Sequence, residues 1–111
     1  MLKILKSKSE KFTEIIVSGE VDASSSIHLD KALEESLEAK ISVIINLTDM
    51  TYISSAGLGV FIARLEEVKD SNNKMILFGL NEKVKNVFDI LGLSNLLSIK
   101  NDKNEAIESI D

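Results

Sequence analysis

Residues 41–65 read Ile41-Ser42-Val43-Ile44-Ile45-Asn46-Leu47-Thr48-Asp49-Met50-Thr51-Tyr52-Ile53-Ser54-Ser55-Ala56-Gly57-Leu58-Gly59-Val60-Phe61-Ile62-Ala63-Arg64-Leu65. The first seven form a near-continuous apolar run, the pattern of a strand buried on both faces. From Ala56 the period changes. Leu58, Phe61, Ile62 and Leu65 fall at i, i+3, i+4 and i+7, one face of a helix that extends to about Asp70. Thr48 to Ser55, between the two, reads as a loop. A doubly buried strand followed by an amphipathic helix is the unit of a parallel α/β sheet.

The same alternation extends in both directions. Upstream, Leu2 to Ser7 reads as a short edge strand, and Phe12 to Ser18 as a stronger one with the β-branched Ile15, Ile16 and Val17. Gly19-Glu20-Val21-Asp22 breaks that run. Ser24, Ser25 and Ser26 are N-cap candidates for a helix to about Lys40, with Leu29, Leu33 and Leu37 as its apolar stripe. Downstream, Lys74 to Gly79 is an apolar strand, and Asn81 caps a helix carrying Val84, Val87, Phe88 and Leu91. Leu96 to Lys100 and Asp102 to Ile110 supply a last strand and a last helix. The predicted order is β-β-α-β-α-β-α-β-α. The first two strands are close enough in sequence to form a hairpin, and the remaining crossovers imply a mainly parallel sheet with helices packed on it.

Composition narrows the function. A chain of 111 residues suits one domain, 1–111. Leu, Ile, Val and Phe make up 39 of 111 residues, well above the disordered range. There is no Cys, so disulfides, Cys-ligated zinc and a thiol nucleophile are excluded. A lone His28 leaves no multi-His metal site and reads as a solvated helix residue. The net charge of -5 argues against nucleic acid as the partner. The apolar runs are far too short to span a membrane, and Met1 to Phe12 has no signal-peptide core. The expectation is a cytoplasmic domain with no metal and no cofactor.

Ser54-Ser55-Ala56-Gly57-Leu58-Gly59 is the unusual segment. Two serines stand at a helix mouth, and two glycines follow, each costing the helix about 1 kcal/mol relative to Ala. One reading is structural: the serines cap, and the glycines allow close helix–sheet packing. The other is access: bare backbone lets a second molecule approach, and a phosphate on a serine would meet free N–H groups and the positive end of the helix dipole. The spacing is neither a P-loop nor a nucleophile elbow. Asp49 and Asp22 read as turn residues. Val60 and Ala63 lie off the helix's apolar stripe, where they would form a weakly apolar patch beside Ser55.

Three segments together resemble the STAS domain, specifically the stand-alone anti-sigma factor antagonists. They are Ser18-Gly19-Glu20-Val21-Asp22; Ile44-Ile45-Asn46-Leu47 with Tyr52-Ile53-Ser54-Ser55-Ala56-Gly57-Leu58-Gly59; and Val84-Lys85-Asn86-Val87-Phe88-Asp89-Ile90-Leu91-Gly92-Leu93. The resemblance covers nearly the whole chain in the same element order. It implies a protein-binding switch rather than an enzyme. The unphosphorylated form would bind an anti-sigma factor that is also a serine kinase, releasing a sigma factor; phosphorylation would end the complex and a serine phosphatase would reset it.

By position, the resemblance puts the phosphate on Ser55 and the partner surface on Asp22, Ser54, Ser55, Ala56, Gly57 and Val60. Two positions depart from the family pattern. Ser54 stands where many members carry Asp, and Ala56 where many carry a second hydroxyl residue. The first lowers the local charge and makes Ser54 a competitor of Ser55. The alternative within the same fold is an accessory subunit of a lipid transporter, or a module that binds nucleotide.

Overall fold

The computed structural model describes residues 1–69 and 71–110. Strands β1 (Lys3–Lys8) and β2 (Phe12–Val21) precede helix α1 (Ser26–Glu38). Strands β3 (Ser42–Asn46) and β4 (Met50–Ile53) lead into α2 (Ser55–Lys69). Then come β5 (Met75–Phe78), α3 (Glu82–Ile90), a 3-10 turn at Leu93–Asn95, β6 (Ser98–Lys100) and α4 (Lys103–Ile110). The Asp70 end expected for α2 lies outside the described residues.

The sheet runs in the order β1-β2-β3-β5-β6, with β4 paired to the far end of β2. Among the described residues only β1 and β2 are antiparallel, as the short connection required; every other pair is parallel. The doubly buried reading of β3 holds. Val43 and Ile45 face a large core with Leu29 and Leu33 of α1, Leu58 and Phe61 of α2, and Val84 and Phe88 of α3. Ile44 faces the opposite side with Ile76, Phe78 and Ala106 of α4. Three helices therefore cover one face and α4 covers the other. Among the described residues no helix is long and apolar enough to cross a membrane.

Two expectations are corrected. Gly19-Glu20-Val21-Asp22 does not end the second strand, which continues through Val21. Gly19 has φ of +89°, and the pairing register slips between Gly19 and Glu20. A bulge there bends the strand without ending it, and positive φ is why glycine holds the position. β2 pairs with β3 as far as Ile16 and with β4 from Gly19 onward, so the bulge lies within the β2–β4 pairing. The expected loop Thr48 to Ser55 accordingly contains that strand: Gly19 N–H donates to the Asp49 carbonyl at 2.9 Å, and Val21 pairs with Ile53. Its burial runs inward at Met50 and Ile53 and outward at Thr51 and Tyr52, so no period-2 alternation announces it.

Arg64 clamps α1 to α2. Its guanidinium donates to Asp30 at 2.8 Å, Glu67 at 2.6 Å and Glu34 at 3.3 Å, and its side chain is only 14% exposed. The Asp30 hydrogen bond, then that to Glu67, holds its pKa above the ordinary arginine range. The three carboxylates are half in solvent, so each pair contributes modestly. Arg64→Ala is expected to cost about 1–2 kcal/mol in total, read as a lower urea midpoint at unchanged slope. An unchanged midpoint would mean the clamp is idle.

Candidate functional site

The parallel strands β2 and β4 end side by side, and this places the residues singled out above. Ser54 N–H donates to the Val21 carbonyl at 2.8 Å, so Asp22 and Ser54 are the first residues beyond two paired strand ends. The chain turns from there directly into α2. Asp22 and Ser55 make no hydrogen bond to each other among the described residues.

Ser54 and Ser55 have different surroundings. Ser54 is half-buried, and its Oγ accepts the Gly57 N–H at 3.3 Å, the bond of an N-cap. Its carbonyl accepts the first intrahelical bond, from Leu58 N–H at 3.0 Å. Ser55 is the first residue of α2 and is exposed. Among the described residues its hydroxyl has no hydrogen-bond partner, and neither the Ser55 nor the Ala56 N–H has an acceptor. These are two of the donors that a helix start leaves open. The first turn of α2 carries no acidic side chain, so the positive end of its dipole is not offset locally.

The two glycines have separate reasons. A Cβ at Gly57 would lie 2.8 Å from Ile53 Cγ1 and 2.8 Å from Val21 Cγ1. Gly57 is therefore buried packing against β2 and β4, not surface that a partner could touch. A Cβ at Gly59 would meet nothing within 4 Å. The packing reading applies to the first glycine, and open surface is found at the second. Ala56 is exposed; Val60 is half-buried and packs on the main core, leaving only Ala63 fully outside the stripe.

Asp22 has a structural task. Its Oδ1 accepts from Ser25 N–H at 2.8 Å, Ser24 Oγ at 2.8 Å and Ser25 Oγ at 2.9 Å. Of the serines expected to cap α1, Ser24 and Ser25 thus donate to the Asp22 carboxylate and Ser26 Oγ donates to the Ala23 carbonyl at 3.0 Å, while Ser25 occupies the N-cap position without a capping bond of its own. The Ser25 backbone bond, then the two serine hydroxyls, lower the Asp22 pKa to about 2. His28 is exposed on α1, and Asp49 is an exposed turn residue whose carbonyl holds Gly19. Among the described residues no three acidic, His or Cys side chains come together as a metal site.

Sequence reasoning did not find two features. One is Asn81, which caps α3 by accepting from Val84 N–H at 2.9 Å, as expected, and also donates to the Met50 carbonyl at 3.0 Å. That second bond pins the start of α3 to the first residue of β4. The other is exposed Tyr52 at the edge of the same region. The sequence marked Asn81 as a helix cap and Tyr52 within a resembling segment, but not their place against β4, because that strand was not foreseen.

Comparison with known proteins places this geometry. The model of the STAS domain matches residues 3–106. The anti-sigma-B factor antagonist of Listeria monocytogenes is 33% identical over 102 residues, which is 91% of this chain and 90% of that protein. The crystal structure of an anti-sigma factor antagonist from Mycobacterium paratuberculosis superimposes with a TM-score of 0.91 at 16% identity, covering 99% of this chain and 94% of that one. The Bacillus cell fate determinant SpoIIAA in its phosphorylated form gives 0.71 at 18% identity, covering 100% of both.

Two measurements test the site's anatomy. Gly57→Ala is expected to destabilise, because overpacking of about 1–3 kcal/mol exceeds the helix gain of about 1 kcal/mol, whereas Gly59→Ala is expected to stabilise by up to about 1 kcal/mol. Equal signs in urea unfolding would refute the division. For Asp22, the folded pKa lies below the usual 3.8, so its contribution to folding is complete above that value and is lost as pH falls toward 2. An NMR titration of its carboxyl should turn near 2; a midpoint near 4 would mean the serine cage does not hold it.

Proposed function

Because the chain belongs to the STAS domain family, among the anti-sigma factor antagonists, we propose that it is a phosphorylation-controlled binding switch. Unphosphorylated, it binds an anti-sigma factor that is also a serine kinase, and so frees a sigma factor. Phosphorylation of Ser55 ends the complex, and a serine phosphatase restores it. The observation that carries this reading is the hydroxyl of Ser55, exposed and, among the described residues, unpartnered beside two open N–H groups, while that of Ser54 is engaged as the cap. The phosphorylated SpoIIAA structure adds support, since it is a protein of the same fold that carries the modification.

The physics of such a switch is local. A phosphoserine adds about -1.5 to -2 charge to a chain already at -5. At the helix start the dianion is compatible with the fold, because the open N–H groups and the dipole favour it. Inside an interface the same group must lose its water, which is strongly unfavourable without a cationic partner. The modification thus acts on the complex and leaves the domain intact. The chain needs no base or metal, because the kinase and phosphatase carry out the chemistry.

The test uses purified chain and the host's anti-sigma factor kinase. Ser55→Ala is expected to bind as the wild type does and to resist phosphorylation, while Ser55→Asp binds at least ten-fold more weakly at the same melting temperature. Binding of Ser55→Asp equal to wild type would defeat the reading. Failure of any host kinase to modify the chain would favour the transporter-subunit or nucleotide-binding alternatives.

A further inference from the structure

A cavity of about 120 Å³ opens between β4 and α3, lined by Thr51, Tyr52 and Ile53 of the strand that leads into Ser54 and Ser55 and by Lys83, Val84 and Val87 of the helix. Its lining is apolar except for Thr51, the Tyr52 hydroxyl and Lys83. Ile53 and Val84 form the buried floor, and Tyr52, 49% exposed, stands at the rim. Tyr52 is a large apolar side chain left in water, and Tyr is among the residue types that dominate protein interfaces. The cavity is preformed. Asn81 caps α3 and bonds the Met50 carbonyl, which fixes the helix start against the strand. Among the described residues β4 pairs only with β2, so its other edge is not covered by sheet.

We infer that this notch is the docking pocket for one apolar side chain of the anti-sigma factor, with a carboxylate of that partner beside it on Lys83. The inference rests on the proposed function and adds the chemistry of the contact. Size supports the occupant: an apolar cavity of roughly 150 Å³ holds a benzene ring, so this notch suits one branched aliphatic side chain or a small ring. Charge supports the neighbour. Lys83 is the one charged residue in the lining, and like most lysines among the described residues it forms no ion pair. An unpaired cation on the rim of an apolar pocket, in a chain of net charge -5, selects an acidic group on the incoming surface. Continuity supports the location. Ile53 in the floor and Ser55 at the helix start are two residues apart, so one partner surface spans both. A phosphate on Ser55 then stands at the edge of the docked side chain, where it keeps water in the contact.

The experiment is calorimetric titration of the host's anti-sigma factor kinase into four chains: wild type, Ser55→Asp, Tyr52→Ala and Lys83→Glu. Thermal melting of each chain controls for folding. Tyr52→Ala is expected to weaken binding about 10- to 100-fold, and Lys83→Glu about ten-fold with a reversed salt dependence, both at unchanged melting temperature. If Ser55→Asp loses binding while Tyr52→Ala and Lys83→Glu keep it, the notch is overturned and the switch stands. If the notch variants lose binding and Ser55→Asp does not, the notch stands and the switch falls. If the wild type binds no anti-sigma factor, both fall together.

Discussion

The serine end of the molecule rests on the contact of Gly57 with Val21 and Ile53. It brings the start of α2 down onto the ends of β2 and β4, with no room for a methyl group between them. The neighbouring geometry depends on that approach. Past Ile16, where its pairing with β3 ends, β2 runs on through the bulge at Gly19 paired with β4, and that pairing supplies both side chains against which Gly57 packs. The Val21 carbonyl then receives the Ser54 N–H, and Ser54 is held where its hydroxyl can reach the Gly57 N–H. Ser55 is left outside, one residue further on.

This arrangement separates stability from exposure. The bonds that hold the helix start belong to Ser54, Gly57 and the strand ends. Asp22 holds the start of α1 with its own serine cage, and Arg64 ties α1 to α2 two turns below. Ser55 and Ala56 support none of these contacts. A charge placed on Ser55 therefore alters the surface without a direct route into the core. Such independence suits a residue whose modification must be reversible and must leave the domain folded.

The legibility of the fold varied with the physical signal. The doubly buried β3 was plain because both faces of the sheet are covered, which forces the consecutive apolar run Val43-Ile44-Ile45. Helices α2 and α3 were plain from their stripes and, for α3, from the Asn81 cap. Strand β4 was not, because four residues with burial only at their ends resemble a loop. The continuation of β2 was missed for a related reason: Gly19 reads as a terminator, and only three-dimensional pairing distinguishes a bulge from a stop. At the site, the sequence singled out Ser54, Ser55, Gly57 and Gly59 as a group. It did not separate the cap from the free hydroxyl, or the packed glycine from the open one, since those differences lie in contacts with β2 and β4. Asp22 was marked by position, yet its bonds to Ser24 and Ser25 depend on a turn geometry that spacing alone does not specify.

The most direct measurement is peptide mapping of the chain after phosphorylation by its anti-sigma factor kinase. One phosphate per chain, located on Ser55 with Ser54 unmodified, is the expected result, because only one of the two adjacent hydroxyls is free. Phosphate on Ser54, or divided between the two, would contradict the assignment of one serine to the fold and the other to the switch.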